Sequence, residues 1–470
     1  MSAVNLFGTC SVTSDKLEQL AAERGKDVVI PLSQTGNNVV VLMLDRAVSC
    51  YVPFLLNEKP ELKEQFAGFT YYPNTISYGG FTNFGAPGLY GGYEYIPSEM
   101  NKRDQESLKS KHNEAMKVMP VLFDQAGFTT TVCDPTYAGY QWIPDLSIYE
   151  DYPEIRAFNT NGHYFGDSDP HALEHDAIMN RNLFCYSLFK VSPVFLQPTL
   201  YHRGNYCMPH VSQANQVITD LSTAHGLSES FLKPFDVLQH LGDLTEISPD
   251  PNGTFLMMSN DTTHEPMLLQ EPDYLPSELV DNRKYDADHA DRFTLNGKTL
   301  HMETDQQIIH YHANMATMIQ LGRWFDQLRA QGVYDNTRII LVSDHATGLG
   351  QFDALYCVNG IYEDMMRYNP LLMVKDFNSS EFTTDMTFMT NADTPTLAME
   401  SLVDDPVNPF TGKPVNSSPK TEGEQQIFTS YVWDVNTNSG NTFLPDGWVS
   451  VHDNIFVPEN WKLVAPNIQK

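Results

Sequence analysis

The feature that most constrains this chain is a run of seven residues, Asn38-Val-Val-Val-Leu-Met-Leu44, followed at once by Asp45-Arg46. A continuous β-branched and apolar run of this length reads as a strand covered on both faces, as in a parallel sheet. Parallel strands need crossover connections, so helices and further strands of the same kind must follow. The sequence supplies them. Residues 128–133 follow a helical pattern over 108–125 and the stop signal Gly127, and residues 254–258 run into polar Ser259 to His264. Residues 338–342 follow a helical pattern over 305–330 and end in Ser343-Asp344-His345. Residues 370–375 come next, and a proline-started helix is expected over 394–402. Strands alternating with helices predict an α/β class: a doubly wound, mostly parallel sheet flanked by helices.

The expected division is a polar lead-in and linker over 1–37, with a short helix around 15–24, an α/β catalytic domain over 38–403, and a small C-terminal subdomain over 404–470. The last is rich in Asn, Pro, Gly, Ser and Thr, with strand-like pieces such as 426–435, and reads as β-rich. With 41% hydrophobic and 19% charged residues, the chain can bury a sizeable core and is not a disordered one. Lysine and arginine number 29 against 59 acidic residues, a net charge of −30. So acidic a chain is repelled by nucleic-acid backbones, and no nucleic acid partner is expected. No run approaches the ~18 apolar residues of a membrane span. The first 25 residues lack a basic stretch followed by an apolar one, so no signal peptide is expected, and the chain as given reads as soluble. Six cysteines occur without a C-x-x-C; Cys185 and Cys207 are the pair that could form a disulfide, with buried free thiols the commoner alternative.

In open α/β sheets, ligands bind beyond the carboxyl ends of the strands. Three expected strand ends carry metal ligands or polar donors: Asp45, His264 and the pair Asp344-His345. Two carboxylates and an imidazole suit Mn²⁺, Mg²⁺ or Zn²⁺. Each residue alone is more often a helix cap or a structural histidine; three strand ends together outweigh that. A fourth ligand is available in the glycine-rich stretch from Ser77 to Gly92, read as a loop, which contains Thr82 and Asn83. A threonine hydroxyl is a poor nucleophile unless a base or metal favours its alkoxide. The stretch is neither a P-loop nor a dinucleotide fingerprint, since G-K-[ST] and G-x-G-x-x-G are both absent. Arg46 either steers an anionic substrate or forms a structural ion pair. His171 and His175, beside Asp176, read as a solvated helical face, and His310 and His312 point apart on their helix without a ligand role.

These residues, namely the strand ending at Asp45, the Thr82 stretch, the Trp142 segment, Ser259-Asn-Asp-Thr-Thr-His264 and Val342-Ser-Asp-His-Ala346, resemble the alkaline phosphatase/sulfatase superfamily. The branch most similar is that of the membrane-anchored phosphoglycerol and phosphoethanolamine transferases, the lipoteichoic acid synthases among them. The resemblance covers residues 38–402. It implies one divalent ion, Mn²⁺ first with Zn²⁺ and Mg²⁺ as alternatives, held by Asp45, Thr82, Asp344 and His345. It further implies that Thr82 attacks a phosphodiester, that His264 contacts the phosphate or the leaving oxygen, and that Trp142, Asn83 and Arg46 face the substrate. Three departures stand out. Asp45 replaces the usual glutamate of that branch, and Pro144 stands where lipoteichoic acid synthases carry a head-group arginine. Phe84 and Ala86 occupy the positions of the sulfatase Pro and Arg.

The expected function is therefore metal-dependent transfer of a phosphoglycerol- or phosphoethanolamine-like group from an anionic phospholipid to a glycan or polymer of the cell envelope. By the same resemblance the chain would be an ectodomain at the outer face of a bacterial membrane, anchored through an N-terminal transmembrane region that it lacks. A phosphodiesterase, phosphatase or sulfatase-like hydrolase is the alternative, and a non-catalytic module binding an envelope glycan or polyanion is the alternative of another class.

Overall fold

The computed structural model describes residues 28–164, 172–201, 216–434 and 436–467, with side chains left undescribed over 172–180. The expected helix around 15–24, His171, the side chains of His175 and Asp176, and the Cys207 half of the Cys185 pairing lie outside what is described. Eight strands form the central sheet: β1 (Asn38–Leu44), β2 (Phe69–Tyr71), β3 (Thr129–Cys133), β4 (Arg156–Phe158), β5 (Thr254–Asn260), β6 (Thr337–Val342), β7 (Leu372–Lys375) and β8 (Thr383–Thr384). Their spatial order is β8-β2-β7-β6-β1-β5-β3-β4. Only β7 runs against its neighbours; the other pairings are parallel.

All seven residues of β1 are buried, as its unbroken apolar sequence requires. Val39, Val41 and Met43 face one layer of the molecule, while Val40, Leu42 and Leu44 face the other. Each such side chain contributes about 1.5–3 kcal/mol on burial, and this fixes β1 at the centre of the sheet. The first layer holds α1 (Thr82–Gly91), α2 (Leu108–Gln125) and, further along the chain, α5 (Thr394–Met399). On the opposite layer the longest element is α4 (Asp305–Ala330), whose Thr304 closes a capping box with Gln307. A further helix, α3 (Ala172–Val191), precedes α4 in the chain. A three-stranded antiparallel sheet of β9 (Gln425–Phe428), β10 (Trp448–Val451) and β11 (Lys462–Ala465) packs Phe428 against Phe84 of α1 at 4.7 Å between ring centroids.

Four local expectations are corrected. Residues 31–37 are not all linker, because Ile30–Ser33 is a strand paired in parallel with Thr245–Ser248. Its Ile30 and Leu32 are buried on one side, and an edge strand tolerates Pro31. The helix over 394–402 stops at Met399, and the strand expected over 426–435 is only Gln425–Phe428. Most consequentially, the glycine-rich stretch is not a loop: Thr82–Gly91 is a buried ten-residue helix. Helix propensity argues against Gly85, Gly88 and Pro87 there, but packing overrides it. A Cβ on Gly85 would sit 2.1 Å from the Asp344 carbonyl oxygen, so only glycine lets this helix reach the end of β6.

Candidate active site

Strand register places the chemistry. Asn260 at the end of β5 pairs with Leu44 at the end of β1, and Val342 at the end of β6 pairs with Met43. Three central, adjacent and parallel strands therefore end on one edge, and Asp45, Asp261 and Ser343-Asp344-His345 leave from it. The chain turns sharply there: Arg46 adopts a left-handed φ of 63°. The Asp45 amide donates to the Asn260 carbonyl at 3.1 Å, and the Arg46 amide to Asp344 Oδ1 at 3.3 Å. Thr263 Oγ1 donates to the Asp45 carbonyl, and Asn391 Nδ2 donates to the Asp344 carbonyl at 2.9 Å. The carboxylates are thus fixed through their own backbones.

One ligand atom each from Asp45, Asp344 and His345 falls within 4.8 Å of the others, and all three residues are buried. His345 Nε2 lies 3.6 Å from Asp344 Oδ2 and 3.9 Å from Asp45 Oδ1. The other ring nitrogen, Nδ1, is 2.7 Å from the Ala346 carbonyl oxygen. A carbonyl can only accept, so Nδ1 carries the proton and Nε2 presents its lone pair to the carboxylates, the arrangement that suits a metal-binding histidine. Thr82, at the first position of α1, directs its hydroxyl to Asp45 Oδ2 at 3.3 Å.

Asp45 Oδ1 and Asp344 Oδ2 are buried without any hydrogen-bond partner. Buried carboxylate oxygens are costly to leave unpaired. Burial, then the charge of Asp344, pushes the Asp45 carboxyl up to about 6, while burial holds the His345 imidazole down at about 4. Two unpaired carboxylate oxygens facing a neutral imidazole nitrogen form a donor set of the right charge and chemistry for one divalent cation. The residues present fit the group that the sequence motifs imply.

Other expected residues fall around this cluster. His264 Nε2 lies 2.9 Å from an Arg46 guanidinium nitrogen, and its Nδ1 lies 3.0 Å from Glu265 Oε1. Burial pulls this imidazole down, but Asp45 and Glu265 outweigh it and lift it to about 9. His264 is not among the three clustered ligands; its Nε2 accepts from the Arg46 guanidinium, and the two residues form a rim beside them. Asn83 turns away, donating to the Trp433 carbonyl at 3.0 Å. Trp142 stands at the surface, 78% exposed, with its ring 5.4 Å from that of Tyr137.

Two residues of the site, Asp261 and Asn391, were given no role in the sequence reading, and His310, read as without a ligand role, lies in α4. Asp261, whose carboxyl burial and then the charge of Asp45 push up to about 7, follows β5 as Asp45 follows β1; the same strand-end signal would have found it. His310 is buried in α4 and held down at about 3 by burial, then by the positive charges of Arg46 and His264, so it stands near the rim. Asn391, at the start of a stretch that also resembles the superfamily, donates to both the Asp344 and Gly85 carbonyls and joins two segments of the site.

No protein-family model matches the chain, and no curated protein does. Solved structures that it resembles include the lipoteichoic acid synthase LtaP from Listeria monocytogenes, at 12% identity over 84% of this chain and 78% of that one, TM-score 0.40. A protein in the alkaline phosphatase superfamily from Vibrio parahaemolyticus is similar at 14% identity over 78% and 67%, TM-score 0.38. The phosphonate monoester hydrolase of Agrobacterium radiobacter is similar at 14% identity over 89% and 86%, TM-score 0.43.

Proposed function

We propose that this chain is a metal-dependent phosphotransferase with Thr82 as nucleophile, moving a phosphoglycerol- or phosphoethanolamine-like group from an anionic phospholipid to an envelope glycan or polymer. The observation that carries the chemistry is the pair of unpartnered buried oxygens, Asp45 Oδ1 and Asp344 Oδ2, facing His345 Nε2 with the Thr82 hydroxyl bonded to Asp45. The lipid donor, the acceptor and a place at the outer face of a bacterial membrane rest on the motif resemblance. Among the described residues no helix is long and apolar enough to cross a membrane.

Asp45, Asp344 and His345, with Thr82 as fourth ligand, would hold a divalent cation, Mn²⁺ in the first instance, which would supply Lewis acidity that favours the alkoxide and offsets phosphate charge. Thr82 Oγ1 forms the bond to phosphorus as the bond from phosphorus to the lipid alcohol oxygen breaks. The hydroxyl proton has Asp45 Oδ2 in place to receive it. Thr82 opens a ten-residue helix, and the free amide groups of a helix's first turn favour the negative charge gathering on the phosphate. Arg46 adds positive charge beside the cluster while donating to His264 Nε2, a nitrogen that in this arrangement has no proton to give, so the departing lipid oxygen takes its proton from water. An acceptor hydroxyl then attacks phosphothreonine, and Thr82 is restored.

The test is release of diacylglycerol from phosphatidylglycerol in the presence of Mn²⁺. Thr82→Ala should abolish it, and unchanged turnover would remove the threonine from the mechanism. Analysing products with and without a sugar acceptor separates transfer from hydrolysis.

A further inference from the structure

Away from the site, α3 and the segment after it form a helical pair: α3 ends at Val191, a single turn spans Val194–Leu196, and a short helix follows over Gln197–Tyr201. Leu183, Phe184, Val191, Val194, Phe195 and Leu196 are all exposed along it, Val194 by 79% and Phe195 by 78%. None of these six side chains belongs to the hydrophobic cores of the described residues. Clustered apolar exposure on this scale marks a surface made to be covered.

The charge of the same segment says by what. Residues 177–219 contain no Asp or Glu over 43 positions, whereas the chain as a whole averages an acid about every eight residues and would place about five there. Arg181, Lys190 and Arg203 are the segment's charges, all positive, in a chain of net charge −30. Charges act over about 8 Å at physiological salt, and Lys190 stands about 21 Å along the helix from Asp176, so the acids of its own helix do not cancel it. From Arg181 onward, past Glu174 and Asp176 in the first turns of α3, an apolar stretch that carries phenylalanines and basic residues but no acids matches the interface of an anionic bilayer.

We propose that the hairpin formed by residues 181–201 inserts its exposed apolar side chains into an anionic phospholipid surface, with Arg181 and Lys190 against the head groups. This holds whether or not Thr82 is the nucleophile, because docking needs no turnover. The test is co-sedimentation of the full chain with vesicles of phosphatidylcholine containing about one third phosphatidylglycerol. The wild type should pellet with them and the Val194→Asp/Phe195→Asp variant should partition at least tenfold more weakly at an unchanged melting temperature, since both sites are exposed. Lys190→Glu should weaken binding about fivefold or more at low salt, with the difference gone at about 0.5 M salt. Wild-type protein left in the supernatant, or equal pelleting of the double variant, would overturn the proposal. So would a wild-type dimer that ignores vesicles and that the double substitution turns into monomer, since a second copy would then be the occupant.

Discussion

The molecule buries two groups of carboxylates, and it treats them in opposite ways. In one, Glu58 and Glu271 have side chains 1% and 0% exposed, and Arg292 at 4% lies between them. Arg292 reaches Glu271 at 2.9 Å and Asp286 at 2.6 Å, while Tyr274, Tyr285 and Tyr311 all donate hydroxyls to Glu58. In the other, Asp45 and Asp344 face each other with no arginine or lysine side chain bonded to either carboxylate, and each keeps one buried oxygen unpaired, as Glu271 Oε2 does in the first group. The first group has its own cation, Arg292, and ties α4 to the helices that carry Glu58 and Tyr285. The second is held in place by its backbone and left electrically incomplete. Such incompleteness costs folding energy and is retained at sites where something else completes the charge.

If that contrast is correct, variants of the two groups should fail in different currencies. Thr82→Ala should lower turnover at least a thousandfold, leaving the denaturation midpoint within about 0.5 kcal/mol of wild type. Arg292→Met should do the reverse, costing about 3–5 kcal/mol of stability because two buried carboxylates lose their cation, with kcat per folded molecule retained. A urea titration alongside a turnover assay reads both.

The next effect separates ordinary buried histidine from the site. His112 is fully buried, bonded to the Thr136 carbonyl at 2.9 Å, and burial holds it down at about 4. Below its ordinary value of 6.5 the unfolded chain takes up a proton that the folded chain refuses. Its contribution is thus complete above pH 6.5 and lost as pH falls toward 4, by about 3 kcal/mol. Denaturant titrations of His112→Gln across that window should show a loss smaller by that amount. Smallest is the effect of relieving the site itself. Since Asp45 is pushed up to about 6, its folded-state charge disfavours folding as pH rises from about 4 through 6. Asp45→Asn should therefore stabilise chelator-treated protein at pH 7 by about 1–2 kcal/mol, and should erase any stabilisation by Mn²⁺. Destabilisation would mean that the carboxylate is a structural partner after all.

Much of this frame was legible in the sequence because long apolar runs and long helical periods leave little choice. β1, α2 and α4 run between the residues that pattern and caps predicted. So did the placing of Asp45 and Asp344-His345 at ends of adjacent strands, since that follows from strand ends alone. What could not be read depends on partners distant in the chain. Gly85 belongs in a helix only because the Asp344 carbonyl stands where its Cβ would be, and Ile30–Ser33 is a strand only because Thr245–Ser248 lies beside it. The resemblance implied that Asn83 and Trp142 face the substrate; which way they point could not be read locally, and Asn83 Nδ2 is bonded to the Trp433 carbonyl while Trp142 stands at the surface. Local pattern sets the elements; side-chain direction is set by what they meet.

The most direct measurement is a titration of chelator-treated protein with Mn²⁺, following the free ion by electron paramagnetic resonance. One ion should bind per chain, with binding lost in Asp45→Asn and in Asp344→Asn and kept in Arg292→Met. An absence of Mn²⁺ binding to the wild type, or binding that survives both aspartate substitutions, would contradict the account.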